Sequence, residues 1–145
     1  DAGAYTISAV QELFPDNELV YSSIDRQGYE VDISGSAVFQ TSDGIKCFLN
    51  WGFGLSYKND IEVWTQDRHI TVERAFSKPA DYRAKISHSK NGKLNLDSDE
   101  PCNHFVKMFN YAFCLSKNQY VIINQKLCSQ MEDIECILRN GKSHA

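Results

Sequence analysis

Between positions 45 and 53 the chain alternates with period two. Ile45, Cys47, Leu49, Trp51 and Phe53 take one set of positions, and Lys46, Asn50 and Gly52 fall on the other. Successive side chains of an extended strand point to opposite faces, so this pattern predicts a half-buried strand. Ser42-Asp43-Gly44 immediately upstream predicts a hairpin turn, because Asp-Gly suits a backbone that needs positive φ. Before it, Val31, Ile33, Ala37 and Phe39 alternate with Asp32, Ser34 and Gln40, which predicts a strand over 31–41. Gly52 and Gly54 near the end of the 45–53 strand suggest a bulge or a close approach to the backbone.

The same reading extends along the middle of the chain. Leu19 to Tyr29 is a less regular strand. Ile61, Val63 and Thr65 alternate with Glu62, Trp64 and Gln66, and Ile70 and Val72 alternate with Thr71, Glu73 and Arg74 across the turn Asp67-Arg68-His69. Tyr82 to Ser89 is a further strand, and Asn91-Gly92 a second hairpin signal ahead of Leu94 and Leu96. Helical spacing appears at the two ends. Ile7, Val10 and Phe14 make one stripe that Pro15 terminates. Phe105, Phe109, Ala112 and Phe113 make another, after Glu100-Pro101. Tyr120, Ile123, Leu127, Met131, Ile134 and Leu138 make a third over about 118–139, predicting a helix buried along one whole face and stopped at Asn140-Gly141. A helix, a run of strands and two helices predict an α+β fold. It is an open, mostly antiparallel sheet of about six strands, with the N-terminal helix and the two C-terminal helices on one face. A chain of 145 residues fits one domain over 1–145.

The other sheet face then needs an explanation. Phe48 points opposite to Leu49, and Trp64 opposite to Val63. Such a face calls for a cover, which could be a second copy, another domain or a ligand. Alternatively these are scattered surface aromatics that need none.

The function classes excluded are several. The net charge is −4 and the lysines and arginines form no basic stripe, which argues against nucleic acid. No apolar run reaches the roughly 20 residues needed to cross a bilayer, and the N-terminus is not a signal peptide. Of the five cysteines, Cys47, Cys102, Cys114, Cys128 and Cys136, no two form C-x-x-C, and Cys102-x-His104 stands alone, so a structural metal is not expected. Cys128 and Cys136 read as small core residues, and reduced thiols fit a cytoplasmic protein. His69, His88, His104 and His144 are scattered and read as local hydrogen-bonding residues. There is no G-x-G-x-x-G and no P-loop, so nothing cradles a pyrophosphate. The first residue is Asp rather than Met, which fits a piece of a longer polypeptide.

The chemistry-bearing candidates are Asp1 and Tyr5. Four apart at the start of a helix, they share one face with Cβ atoms about 6 Å apart. A carboxylate and a phenol so placed can hold and protonate a substrate oxygen. The plainer reading, a capping aspartate followed by a half-buried tyrosine, is favoured by spacing alone.

Asp1-Ala2-Gly3-Ala4-Tyr5 resembles the D-x-G-x-Y signature of the Gfo/Idh/MocA family (glucose–fructose oxidoreductase, inositol dehydrogenase, rhizopine catabolism). The resemblance continues through Ser36-Ala37-Val38-Phe39, Asp43-Gly44 and Asn50-Trp51-Gly52-Phe53. It includes 57–64, 70–76 and Cys136-Ile137-Leu138-Arg139-Asn140-Gly141-Lys142, nearly the whole chain. It implies the C-terminal substrate and oligomerisation domain of an NAD- or NADP-dependent oxidoreductase acting on a sugar, nucleotide-sugar or related polyol or diol. Tyr5 is then the proton donor or acceptor and Asp1 the substrate-contacting carboxylate. An N-terminal Rossmann domain would be the partner, and the open sheet face the homo-oligomer interface.

The sequence departs from that pattern in lacking a Rossmann half and its E-K-P lysine. Ser77-Lys78-Pro79 is misplaced for that role, and Gln66-Asp67-Arg68-His69 stands where relatives often carry a glycine turn. A free phenol, with a pKa of about 10, is a poor base at neutral pH without a nearby cation. The isolated chain is therefore expected to be inactive. The rival readings are a hydrophobic-ligand-binding module, with Trp51, Phe53, Trp64 and Phe48 lining a closed cavity, and a structural dimerisation module that leaves Tyr5 unused.

Overall fold

The computed structural model describes residues 2–91 and 93–144. Asp1, and Gly92 of the second hairpin signal, lie outside the described residues. The chain forms two compact units, residues 1–55 with 116–145, and residues 56–115.

In the first unit, α1 (Ala2–Leu13) is followed by β1 (Asn17–Asp25), β2 (Ser34–Thr41) and β3 (Lys46–Gly52). The second unit holds β4 (Asp60–Trp64), β5 (Arg68–Glu73), β6 (Lys85–Lys90), β7 (Lys93–Ser98) and α2 (His104–Phe113). The chain then returns to the first unit with α3 (Lys117–Asn140) and the short β8 (Lys142–His144).

The α+β class holds, but the strands do not make one sheet of about six. They form two sheets of four, ordered β3-β2-β1-β8 and β4-β5-β6-β7. The break follows β3. Gly54 takes a φ of +74°, and Leu55 folds back so closely that a Cβ on Gly52 would stand 2.8 Å from its Cδ1. The next strand consequently pairs with β5. β8 was not anticipated, because three residues are too few for any period to register. It runs parallel to β1, Ser23 opposite Lys142.

The hairpin at Asp43-Gly44 forms as expected, with Gly44 at φ +90°. Thr41, though buried, is satisfied there. Its hydroxyl contacts the Asp43 carboxylate and accepts from the Ile45 N–H at 2.9 Å. The first unit's core joins Ile7 and Val10 of α1 to Ile24, Ala37, Phe39 and Leu49 of the sheet and Ile137 of α3. Phe39 is 0% exposed. The alternation of β2 and β3 is therefore borne out at Ala37, Phe39 and Leu49, with Cys47 and Trp51 packed at the margin.

Three helix expectations change. α2 begins at His104 rather than at Pro101, because Asn103 caps it by accepting from the Val106 N–H at 3.2 Å. It belongs to the second unit, and its expected stripe is not buried: Phe105, Phe109 and Phe113 are all exposed. α3 is not buried along a whole face. Ile137 is buried and Ile123 and Ile134 are half-buried, but Tyr120, Leu127, Met131 and Leu138 are exposed. Length explains this. At about 1.5 Å per residue, α3 is twice as long as the α1 helix beside it and outruns its cover. Cys128 is accordingly exposed and Cys136 half-buried, not core, and all five cysteines are free thiols.

α1 and α3 are joined by polar contacts on their flank. Gln11 Nε2 donates to Asp133 Oδ2 at 2.6 Å and to Ser129 Oγ at 3.3 Å, and Lys126 pairs with Glu12. Burial raises the Asp133 pKa, Glu132 adds to the rise, and the Gln11 donor partly offsets it. A raised folded-state pKa means that the folded chain holds more protons than the unfolded one. This applies from the ordinary carboxyl value, about 3.9, up to the raised one. Over that window this group's contribution falls as pH rises. Asp133→Asn keeps an acceptor for Gln11 and removes the charge. Its Tm should exceed that of the parent at pH 7, and the gain should vanish toward pH 4; thermal melts across that range check this.

Candidate functional site

Tyr5 lies on the first described turn of α1, 57% exposed, while Gly3, Ile7 and Val10 face inward. Asp1, its proposed partner, lies outside the described residues, so the pair is represented by Tyr5 alone.

What seats this turn is Trp51. The indole lies between two glycines. A Cβ on Gly3 would stand 3.1 Å from its Cδ2 and Cε2, and one on Gly35 only 2.3 Å from its Cζ2. Gly35 is Trp51's register partner across the β2–β3 ladder. Gly35 is therefore required by close approach to a ring, not by backbone angle, and at Gly3 the same ring leaves only a tight fit. Trp51 Nε1 donates to Asp32 Oδ2 at 2.7 Å. From the α3 side, Gln130 Nε2 donates to the Ala4 carbonyl at 2.7 Å. Thr6 Oγ1 donates to the Gly3 carbonyl at 2.8 Å. The turn bearing Tyr5 is thus gripped on two sides.

Sequence reasoning reached Trp51 as a strand residue but missed Asp32, Gly35 and Gln130. The local mark was a glycine inside a strand, at Ser34-Gly35-Ser36, which signals a close neighbour without naming it.

The second unit holds a pocket of about 210 Å³, lined among others by Val72, Arg74, Phe76, Lys78, Ile86 and His104. Lys78 sits here with its side chain 12% exposed, 3.4 Å from Asp99. The Glu100 backbone N–H and the Lys78 ammonium hold the Asp99 carboxyl below the usual range. Arg74 stacks its guanidinium over Tyr57 at 5.0 Å and Tyr82 at 4.9 Å. His69 and His88 stand 3.6 Å from Glu62 and 3.5 Å from Asp97. Among the described residues no group of three or more His, Cys, Asp or Glu could hold a metal, and no helix is long and apolar enough to cross a membrane.

The closed apolar cavity of the rival reading does not take shape around its four aromatics. Trp51 is packed between glycines, Phe48 and Phe53 are exposed, and Trp64 flanks an open groove beside His69.

No family model matches the chain. Over 114 residues it is 32% identical to a dTDP-3,4-didehydro-2,6-dideoxy-alpha-D-glucose 3-reductase of Saccharopolyspora spinosa, a match covering 75% of this chain and 34% of that protein. Its fold is that of part of KijD10, a 3-ketoreductase from Actinomadura kijaniata solved with NADP and TDP-benzene. The TM-score is 0.86 at 18% identity, over 99% of this chain and 45% of that one. A KijD10 variant with phenylalanine in place of one tyrosine, also with TDP-benzene and NADP, matches with a TM-score of 0.86 at 17% identity. That match spans 97% of this chain and 45% of that one. The chain spans about a third of the length of the first relative and about half of KijD10. Sequence kinship with a dTDP-sugar 3-reductase and a fold shared with part of KijD10 both accord with the resemblance to the C-terminal α+β portion of Gfo/Idh/MocA oxidoreductases.

Proposed function

We propose that residues 1–145 are the substrate-binding and oligomerisation part of an NAD(P)-dependent oxidoreductase. Its substrate is the keto or hydroxyl group of a nucleotide-linked sugar or a similar polyol. The carrying observation is the kinship with a dTDP-sugar 3-reductase, and KijD10, with NADP and TDP-benzene, is consistent with it. No residue of this chain is assigned to the cofactor, since the sequence holds no G-x-G-x-x-G. A Rossmann domain elsewhere in the polypeptide would hold it, and NADP is the form found with KijD10. When bound, the nicotinamide supplies or takes up the hydride.

The chain's own part is the proton. In the reducing direction the Tyr5 hydroxyl donates to the carbonyl oxygen as that oxygen takes the π electron pair. In the oxidising direction the phenolate accepts the proton back. Asp1 is the carboxylate assigned to orienting a substrate hydroxyl. The exposure of Tyr5 on a gripped turn supports this reading, because general acid catalysis needs a reachable and positioned donor. The test is turnover of the full-length protein, with and without Tyr5→Phe, on a dTDP-linked 3-keto sugar and NADPH. The isolated chain should show none. Equal turnover of parent and variant would favour the structural module instead.

The outer face of the first sheet is the proposed contact with a second copy. Tyr21, Val38 and Phe48 are successive cross-strand neighbours there, and Phe48 is 72% exposed. Phe48→Lys should shift the full-length protein from oligomer to monomer in sedimentation velocity, because a charge would have to be desolvated to re-form the contact. The five free thiols fit a reducing compartment such as the cytoplasm.

A further inference from the structure

We propose that Trp51 is a positioning residue for Tyr5, and that Asp32 holds it in that role. This rests on the proton-transfer role given to Tyr5 above. One line of contacts in the first unit joins the three residues. Asp32 precedes β2, in a segment fixed by two backbone bonds, Ile33 N–H to the Asp25 carbonyl and Phe53 N–H to the Ile33 carbonyl, each 2.8 Å. From that fixed point its carboxylate accepts the indole N–H at 2.7 Å. The bond adds a directional restraint on the ring to the packing of the two glycines. The ring then fills the space between Gly35 below and Gly3 above, with no room for a Cβ at Gly35 and only a tight 3.1 Å fit for one at Gly3.

The helix backbone at Gly3 therefore rests on the ring itself. Two residues on is Tyr5, and the residue between them, Ala4, is held by Gln130. No side chain stands between Gly3 and the indole to absorb a movement. If the indole tilts, the first turn of α1 tilts with it. A displacement of about 1 Å at a reacting group can cost roughly 100-fold in rate. Trp51 never meets substrate on this view and acts through Tyr5.

The experiment uses the full-length enzyme carrying this chain, with Asp32→Ala, Asp32→Asn and Trp51→Phe, each alone and combined with Tyr5→Phe. Asp32→Ala and Trp51→Phe should each lower kcat by about 10- to 100-fold with KM little changed. Asp32→Asn, which keeps an oxygen facing the indole N–H, should recover most of the loss. In the Tyr5→Phe background the Asp32 and Trp51 changes should cost almost nothing more, because the group they place has lost its proton. Melting curves fix an assay temperature at which every variant is folded. Trp51→Phe keeps an aromatic core residue should Asp32→Ala fold poorly. The inference is overturned if the Asp32 and Trp51 losses persist in full on top of Tyr5→Phe, or if both variants keep the parent kcat. Failure of the underlying reading looks different: Tyr5→Phe alone would leave kcat unchanged.

Discussion

Alanine at position 35 should destabilise the protein by about 3 kcal/mol, at the upper end of what an overpacked site costs. The sign is the informative part. Where space allows, replacing glycine by alanine stabilises a fold by roughly 0.4–1 kcal/mol, because the unfolded chain loses freedom. At Gly35 the new methyl would stand 2.3 Å from Trp51 Cζ2, 2.6 Å from Cε2 and 3.0 Å from the Ser23 carbonyl oxygen. The carbonyl belongs to the neighbouring strand and cannot retreat. The ring cannot retreat either without leaving Asp32 and lifting off Gly3. With each kcal/mol worth about 2–4 °C at this size, calorimetry should find Tm lower by about 10 °C. Trp51→Leu removes the obstructing ring, so in the Gly35→Ala background it should cost far less than in the parent. That non-additivity is the signature of direct contact. A melt unchanged by Gly35→Ala would mean that the indole does not lie where it is described.

Tyr5→Phe should lower kcat of the full-length enzyme by about 10²- to 10⁴-fold, the usual range for losing a general acid or base. The ring and its packing stay and the hydroxyl alone goes, so Tm should hold. KM should move little, because the lost interaction is with charge that develops on the substrate oxygen during reaction. A solvent isotope effect on kcat present in the parent and absent in the variant would tie the loss to proton transfer. A fall in kcat of less than about 3-fold is too small for a general acid or base and would count against the assignment.

Local chemistry was legible and partners were not. Asp43-Gly44 announces its hairpin because the turn needs positive φ at one residue, and that requirement is written at the turn itself. The alternation around Leu49 and Phe39 is equally local, and both are buried. Which strand pairs with which is decided at a distance. Nothing between Ile61 and Leu96 tells a continuation of the first sheet from a second one, and the deciding bend is confined to Gly52 to Leu55. Burial of α3 was overread at Tyr120, Leu127 and Met131, because a stripe gives the direction of a face and not the extent of its neighbour.

At the candidate site Tyr5 was legible through a motif, while the reason for the motif's glycine was not. Gly3 is small because Trp51 lies beneath it, forty-eight residues later in the chain. That contact arises only once β2 and β3 are in register, and no periodicity within either segment encodes it.

The parallel pairing of β8 with β1 has a consequence for how the polypeptide comes off the ribosome. Residues 17–25 wait for a neighbour made more than a hundred residues later, and α1 waits for α3. Residues 56–115 emerge between them as an uninterrupted stretch whose strands each pair with the next. Residues 56–115 can therefore close during synthesis, whereas α1 and β1 to β3 stay incomplete until α3 and β8 have been made, a window in which a chaperone has something to hold.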